Sequence, residues 1–513
     1  MSKNKPHCIL EFKVKTEKWQ ADELEHIFEC AERMYNIMVK YVRKQLDTLR
    51  SDEEYNSLLS EYTALLKIDK PTTSDESNKK RISKRLSEIV KGYGLTEFDL
   101  HSYVSKMKNE SFQGILDIDT AQKLATRVWK AVEKVLYGDG EVVHFKRRGA
   151  LDSVESKKNT SGIKFDKSAN LVKFKNLKLP VKIRKNDDYA RQMLENKICY
   201  CRIVRKPFKT GYKYFVQLIL EGEPQKPELG VGDVGLDQGT STVASVGEND
   251  ALIAAHGVTD TKTMKDYNKE IIHYSRMLER SLRLNNPQNY NEDGTVKSGK
   301  LIWIRTKNYY RILFKLKDAY RRKAAFVKQQ HGYNVNKILK MGNNFYTELM
   351  NWKALQKRSK KTEKSDKEIV VKTKSGKSKK ILKNKKKKRF GKSLNNHSPG
   401  LFEKMLIQKL GYHHKTLNYV NLPTYRASQY NPETKEYKKS ELNERVKVLF
   451  DKLIQRDLLS AFLLQNPMDD LMSIDINKVE QKIDNFIRMH DACVQELMNK
   501  PNMPECMGLK HFR

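Results

Sequence analysis

The hydrophobic periodicity of the first 220 residues changes twice, and this order limits the possible folds more than any other feature of the chain. Residues 9–14 (ILEFKV) mix apolar and charged side chains in the pattern of a half-buried strand. Apolar residues then recur at three- and four-residue steps over 21–42, which predicts an amphipathic helix, and helical patterns continue through 46–140. From residue 141 onwards short strands are indicated. This order predicts a small β-barrel interrupted by an α-helical lobe.

Turn-forming residues divide these segments further. The helical stretch is broken near 71–74 (PTTS) and near 92–94 (GYG), because proline and glycine disfavour a continuous helix. The strand region is predicted to open with 142–148 (VVHFKRR) and to close with 213–220 (KYFVQLIL). We therefore expect several helices followed by short strands.

The second half of the chain has a different order of elements. Residues 231–247 indicate a strand, a tight turn and a second strand, and a third strand is predicted near 251–255. Two long helical patterns follow, over roughly 260–285 and 304–336, with a loop rich in Asn and Gly between them. Because a single core rarely grows past about 300 residues, the chain of 513 residues is predicted to be a multidomain α/β protein.

The chain carries a large excess of positive charge. Lys and Arg number 100 against 63 Asp and Glu, which gives a formal net charge of +37. A field of this sign concentrates polyanions, and it favours nucleic acid over an anionic membrane surface. The alternative is a general lysine enrichment that only keeps the protein in solution. A lysine-dominated tract over 357–393, including 385–389 (KKKKR), is predicted to be a solvated loop, which could still grip a phosphate backbone.

The sequence gives no sign of export or of a membrane span. Residues near Met1 lack the apolar stretch of a signal peptide, and no window approaches the roughly 20 apolar residues that cross a bilayer. We therefore expect a soluble, cytoplasmic protein with no membrane partner. The six cysteines form no C-x-x-C pair and are predicted to be reduced and mostly buried. The oligomeric state is left open.

Three acidic residues lie in contexts that suit phosphodiester chemistry. Asp237 ends an apolar strand and is followed by Gly239 and small hydroxyl residues, which suits the first strand of an RNase H-like fold, although a hairpin turn explains the same pattern equally well. Glu348 ends a strand-like run, where a surface carboxylate is the simpler interpretation. Asp457 begins an apolar helix, where an acid is also favoured by the helix dipole.

The order and spacing of these acids favour one shared site. Asp237 and Glu348 are 348 − 237 = 111 residues apart, and Glu348 and Asp457 are 457 − 348 = 109 apart, so only a fold can unite them. Cleavage of a phosphodiester needs clustered carboxylates that hold two divalent cations about 4 Å apart. Hard oxygen ligands favour Mg²⁺ or Mn²⁺ over Zn²⁺.

The segments around these acids resemble the insertion-sequence TnpB proteins and the compact type V CRISPR effectors that descend from them. The resemblance is specific from Gly235 to Phe462 and looser in the helical lobe. The segments that carry it are 348–358 (ELMNWKALQKR), 391–393 (GKS), 398–402 (SPGLF), 405–406 (ML), 438–445 (KKSELNER) and 456–461 (RDLLSA).

This resemblance implies an RNA-guided DNA endonuclease with a RuvC nuclease domain. Asp237, Glu348 and Asp457 would be the metal ligands of a two-metal site, and Arg445 would support it. The expected partners are a guide RNA, double-stranded target DNA and the displaced single strand. The N-terminal strand and helix and residues 145–148 (FKRR) match the family's wedge domain, which would help to read a short flanking DNA motif.

The resemblance also sets the expected domains. They are the wedge domain (1–45 and 141–228), the helical recognition lobe (46–140), the RuvC domain (229–424 and 452–513) and an insertion that binds target nucleic acid (425–451). Relatives carry a four-cysteine zinc ribbon in this insertion, but 425–451 holds no cysteine, and His413 and His414 alone cannot supply four ligands. We therefore expect a remodelled insertion without structural zinc.

Two other functions share parts of this pattern. A nuclease-inactive, RNA-guided DNA-binding repressor would keep the fold, but it would be expected to lose an acid of the triad. An RNA-independent transposase with an RNase H fold would need no guide. A plain RNA-binding protein would explain the charge but not the three ordered acidic motifs.

Overall fold

A computed structural model describes residues 6–69, 71–138, 140–259, 263–356, 364–372, 378–384, 390–439, 441 and 444–512. The chain divides into two compact units, unit 1 (Met1–Pro224) and unit 2 (Gln225–Arg513). Both units contain helices and strands, which confirms the predicted mixed α/β class. None of the described helices is long and apolar enough to cross a membrane.

Unit 1 is built on one antiparallel sheet. The first strand, β1 (His7–Val14), buries every second side chain and pairs with two strands that come much later in the sequence. The order across the sheet is β2-β6-β7-β1-β5-β4-β3. The later strands are β2 (Ser153–Glu155), β3 (Lys164–Asp166), β4 (Leu171–Phe174), β5 (Leu177–Lys182), β6 (Ile198–Phe208) and β7 (Gly211–Glu221).

Helices fill the interval between β1 and β2, as the periodicity predicts. Helix α1 is unbroken to Arg50, so the domain boundary predicted at 45–46 lies inside it. The side chains of Asp52, Thr72, Thr96 and Asp117 each accept a backbone N–H at the start of a helix, which explains where these helices begin. The helices are α1 (Lys18–Arg50), α2 (Glu53–Leu65), α3 (Thr73–Gly92), α4 (Glu97–Ser111), α5 (Ile118–Tyr137) and, after β5, α6 (Asp188–Met193).

One predicted strand of unit 1 is wrong. Residues 142–148 form no strand and join no sheet, and the strand region opens only at β2. The reason is that side chains satisfy this backbone instead of a neighbouring strand. Asn36 binds both the N–H and the carbonyl of Lys146 at 2.8 and 2.9 Å, and Arg50 binds the carbonyl of Glu141 at 2.9 Å.

The sheet of unit 1 curls, but no ladder closes it among the described strands. Its edge strands β2 and β3 do not pair with each other. Asn159 links the two ends: its N–H donates to the carbonyl of Cys199 on β6, the neighbour of β2, and its side chain binds both backbone groups of Phe165 on β3. The predicted barrel is therefore a curled sheet. Its two ends are bridged by Asn159 and also by the hydroxyl of Ser156, which contacts the carbonyls of Ile163 and Cys201.

Unit 2 contains a five-stranded sheet in the order β10-β9-β8-β11-β14. Strands β8, β11 and β14 are parallel, whereas β9 and β10 run antiparallel to their neighbours. The predicted strands over 231–247 and near 251–255 are confirmed. The strands are β8 (Asp233–Gln238), β9 (Thr242–Val246), β10 (Ala251–Ala255), β11 (Asn344–Glu348) and β14 (Leu417–Val420).

Helices pack around this sheet. Both long helical patterns are confirmed, and the described part of unit 2 also contains further helices after β11. The helices are α7 (Met264–Asn285), α8 (Lys307–Leu339), α9 (Trp352–Gln356), α10 (Gly391–His397), α11 (Pro399–Tyr412), α12 (Leu422–Tyr425), α13 (Arg456–Gln465) and α14 (Ile476–Met498).

Three small hairpins complete unit 2, and one corrects the prediction of a loop over 357–393. They are β12 (Lys364–Lys372) with β13 (Ser378–Asn384), β15 (Tyr430–Asn431) with β16 (Glu436–Tyr437), and β17 (Val446–Leu449) with β18 (Lys452–Gln455). The boundary predicted at 451–452 lies in the turn of the last hairpin. The basic run 385–389 and the motif residues Lys357, Arg358, Ser440, Leu442 and Asn443 lie outside the described residues.

Candidate active site

Asp237 and Glu348 lie side by side at one edge of the sheet of unit 2. Their strands, β8 and β11, are parallel, and the last residues in register are Leu236 and Thr347. The hydroxyl of Thr347 donates to the carbonyl of Leu236 at 2.8 Å, which ties the two strands together just before the acids. Each acid follows directly, so the sheet brings together two carboxylates that are far apart in sequence.

Asp457 reaches the same place from the first turn of α13. The Gln455 side chain accepts the N–H of Leu458 at 2.7 Å and so caps this helix. Asp457 itself is buried, with 8% of its surface exposed. An acid here also faces the positive end of the helix dipole, as expected from the sequence.

Gly235 sets how closely α13 approaches β8. A Cβ atom at this position would lie 1.9 Å from the carbonyl oxygen of Ala461 and 2.3 Å from the backbone nitrogen of Gln465. Both are backbone atoms of the helix and cannot turn aside as a flexible side chain could. The absence of a side chain at Gly235 therefore allows the direct helix–strand contact that brings Asp457 near Asp237.

Two arginines contact Asp457. Arg445, predicted to support the site, places Nη1 3.9 Å from Oδ2 of Asp457. Arg456 is closer, with Nη2 3.1 Å from Oδ1, and its Nη1 donates to the carbonyl of Glu444 at 2.8 Å. Arg456 is not among the predicted site residues, although its position next to Asp457 in the sequence is a signal for it.

The electrostatics of the three carboxylates differ from those of an ordinary ion-paired cluster. Burial and repulsion from Asp457 and Glu348 raise the pKa of Asp237 well above its usual value, against the opposing effects of Arg456 and a hydrogen bond from Ser460. Burial also raises the pKa of Glu348. A bound cation would lower both pKa values, because it favours the charged form of each carboxylate.

All three acids and both arginines line one cavity of about 380 Å³. Its other walls include hydroxyl groups of the turn between β8 and β9, the ammonium-bearing Lys439 and the thiol-bearing Cys506. The structure thus brings together the four residues that the sequence singled out. Residues that were not predicted also line the cavity, among them Arg456, Ser241, Ser460 and Cys506.

The three carboxylates are ligands of the chemical type that binds magnesium. Carboxylate oxygen is the ligand that Mg²⁺ and Mn²⁺ prefer. Across the described residues, however, no three His, Cys, Asp or Glu side chains converge closely enough to hold one ion. Asp457 contacts guanidinium groups instead. The carboxylates therefore share a cavity, but they do not form a compact set of metal ligands.

Comparisons with known proteins give structural neighbours only. No family model matches the chain, and no curated protein matches it. The chain is similar to a cryo-EM structure of a Cas12f1–sgRNA–target DNA complex, with 11% identity over 91% of this chain and 99% of that one, at a TM-score of 0.41. It is also similar to a CRISPR–Cas12f ternary complex, with 10% identity over 90% and 99%, at a TM-score of 0.25. These TM-scores are too low to establish a shared activity.

Proposed function

We propose that this chain is an RNA-guided DNA endonuclease that cleaves target DNA at a single RuvC-type site. The observation that carries the cleavage part is the meeting of Asp237, Glu348 and Asp457 in one cavity. Three acids from segments more than 100 residues apart share that cavity, two at the ends of parallel strands and one on a helix packed against them. The parallel strands β8, β11 and β14 beside an antiparallel pair also support an RNase H-like domain.

The choice of DNA target by a guide RNA depends on different support. The motifs between Gly235 and Phe462 resemble those of the TnpB family and type V effectors, and the net charge of +37 suits a protein that binds long polyanions. Duplex target DNA, its displaced strand and a flanking motif are part of the same proposal.

Asp237, Glu348 and Asp457 would hold the Mg²⁺ or Mn²⁺ ions. Such ions, when bound, activate water and stabilise the leaving oxygen. The chain's own residues then have separate tasks. Arg445 and Arg456 hold Asp457 in place and lend positive charge to the cavity, and the Ser460 hydroxyl orients Asp237.

We also propose that the insertion over 425–451 functions without structural zinc. The side chain of Glu433 accepts the N–H of Phe450 at 3.0 Å, so a direct hydrogen bond joins the turns of the two hairpins. Elemental analysis of purified protein tests this point. A stoichiometric zinc ion per chain would contradict it.

Cleavage of a guided target tests the whole proposal. The protein is purified with its bound RNA, the RNA is sequenced, and DNA libraries with matching targets and randomised flanks are incubated with Mg²⁺. We expect cleavage by the wild-type chain, none by Asp237→Ala, and normal cleavage by Asp250→Ala, which removes an exposed acid from the turn between β9 and β10. Equal activity of Asp237→Ala and wild type would refute the assigned site.

One observation favours a second candidate, the nuclease-inactive repressor. Arg445 and Arg456 contact the two carboxylate oxygens of Asp457, and the described acids do not lie close enough together to hold one metal ion. If matched DNA is bound but stays whole with Mg²⁺ and with Mn²⁺, the repressor is correct. Cleavage that survives removal of RNA by RNase would instead indicate the transposase.

A further inference from the structure

The C-terminal segment 504–512, here called the C-terminal wall, lies beside the candidate active site. It contains two short 3-10 helices, Glu505–Met507 and Leu509–Phe512, and it buries Met507 and Leu509 in the same core as α13. Its Cys506 lines the cavity of the three acids, and the thiol shares a hydrogen bond with the hydroxyl of Ser241 at 3.5 Å. None of the three acidic motifs includes this segment.

Gln455 joins the C-terminal wall to Asp457 through its two side-chain ends. Its amide oxygen accepts the N–H of Leu458, which caps α13, and its amide nitrogen donates to the carbonyl of Met507 at 3.3 Å. The side chain is fully buried, so neither hydrogen bond competes with solvent. One side chain thus fixes both the helix that carries Asp457 and the segment that carries Cys506.

Two further contacts hold the C-terminal wall to the same site. Gly508 packs against Arg445: an added Cβ would lie 2.6 Å from the Cβ of Arg445, and the backbone has a φ of +72°. On the other side, the backbone N–H of Gln455 donates to Nε2 of His490 at 2.9 Å, and the ring of Phe512 lies 5.7 Å from the His490 ring.

We propose that the C-terminal wall is part of the active site and that Gln455 is the residue that positions it against Asp457. Gln455 touches no reacting group and acts through α13 and Met507. The inference rests on the proposed function only for its cleavage readout. The second readout, the reactivity of the Cys506 thiol, holds for any activity of the cavity.

Gln455→Met keeps the volume of the side chain but removes both hydrogen bonds. The C-terminal wall should then open more often, and alkylation of Cys506 by N-ethylmaleimide should become about 5–10-fold faster in metal-free protein, because a lost buried hydrogen bond shifts an opening equilibrium by roughly that factor. Mass spectrometry measures the rate. Cys199, half-buried in unit 1, is the internal reference and should not change.

Cleavage should respond in a characteristic way. We expect kcat of Gln455→Met to fall about 10–100-fold, while KM for DNA stays within about threefold, because a displaced catalytic group costs rate more than binding. Gly508→Ala acts on the C-terminal wall from the Arg445 side and should give the same pair of changes. Asp250→Ala, which removes an exposed acid outside this segment, should change neither readout.

Each outcome decides the proposal. Faster labelling of Cys506 alone, with the melting temperature within a few degrees of wild type, supports it. Unchanged labelling in both variants overturns it, and so does equal acceleration at Cys199, which would mean general unfolding. If the wild-type chain does not cleave DNA but the labelling changes occur, the proposed function fails and the positioning role of Gln455 stands.

Discussion

The buried acids Glu155 of unit 1 and Asp237 of unit 2 lie in opposite electrostatic surroundings. In unit 1 the buried Glu155 lies between two guanidinium groups, 2.6 Å from Arg202 and 3.5 Å from Arg127. Burial alone would raise the pKa of Glu155, but the two arginines lower it overall. In unit 2 burial and like charges act together, and the pKa of Asp237 is raised.

Buried polar atoms without a hydrogen-bond partner are also distributed unequally between the two units. Among the described residues, unit 1 has one such atom, Nη2 of Arg205, whereas unit 2 has five, on Gln238, His256, His331 and Asn466. Unsatisfied buried groups cost stability and are retained where function requires them. Unit 2 therefore keeps most of the unsatisfied buried groups, although none of these four residues lines the cavity of the three acids.

The largest effect is expected from a substitution that removes the charge of Glu155 in unit 1. Glu155→Gln leaves Arg127 and Arg202 without a buried counter-charge, and we expect the free energy of unfolding to fall by about 3–5 kcal/mol. Chemical denaturation followed by tryptophan fluorescence measures the change. A loss below about 1 kcal/mol would mean that solvent already screens this pair and that the contrast between the units is smaller than proposed.

A second variant tests the close approach in unit 2. Gly235→Ala places a methyl group against the backbone of α13, so the helix must shift and carry Asp457 with it. Because a shift of about 1 Å can cost about 100-fold in rate, we expect at least that loss of kcat. Gly411→Ala in α11, where nothing lies within 4 Å of the added Cβ, is the matched control and should retain most activity. Full activity of Gly235→Ala would show that the spacing is not critical.

The third prediction has the opposite sign from the first. Asp237→Asn removes a carboxylate that is held next to two others, so it should abolish cleavage and raise the melting temperature by about 2–4 °C, as a gain near 1 kcal/mol would. Asp250→Asn should leave the melting temperature unchanged. Adding Mg²⁺ should stabilise the wild type but stabilise Asp237→Asn much less. A lower melting temperature for Asp237→Asn would contradict the assigned repulsion.

The smallest effect concerns pH. Burial lowers the pKa of His256, His331, His397 and His490, all in unit 2. The stability that depends on their neutral forms is complete above the unfolded pKa of about 6.5 and is lost as the pH falls towards the folded values. The raised pKa of Asp237 acts in the other direction, since its protonated form is favoured in the fold.

Hydrogen exchange measured on individual peptides can separate the contribution of the buried histidines from that of Asp237. Between pH 7.5 and 5.5, after correction for the intrinsic exchange rate, peptides of α8 and α14 should lose protection. The loss should be greater in Asp237→Asn than in wild type, because the variant lacks the opposing carboxylate. Equal loss in both proteins would show that Asp237 does not titrate in this range.

Much of the fold follows from local patterns that the sequence contains. The alternation over 9–14 predicts β1, and the two long helical patterns predict α7 and α8. The segment 142–148 has the same strand pattern but forms no ladder, because Asn36 satisfies the backbone of Lys146 from more than 100 residues away. Such a contact has no periodic signature.

The candidate site also has a part that could be predicted from the sequence and a part that could not. Asp237, Glu348, Asp457 and Arg445 could be predicted because each lies in an ordered motif, and the structure places all four on one cavity. The link from Gln455 to Met507 could not, since a buried amide and a backbone carbonyl 52 residues apart look like ordinary core positions in sequence.

The pairing of β8 with β11 has a consequence for the order of folding. These parallel strands are joined only after more than 100 intervening residues, and α13 must then pack on Gly235 from a further 100 residues along. Contacts of such long sequence separation form late, because the loop-closure entropy must be overcome first. A partly folded chain therefore has no assembled acidic centre, and the proposed cleavage requires that unit 2 has completed its sheet.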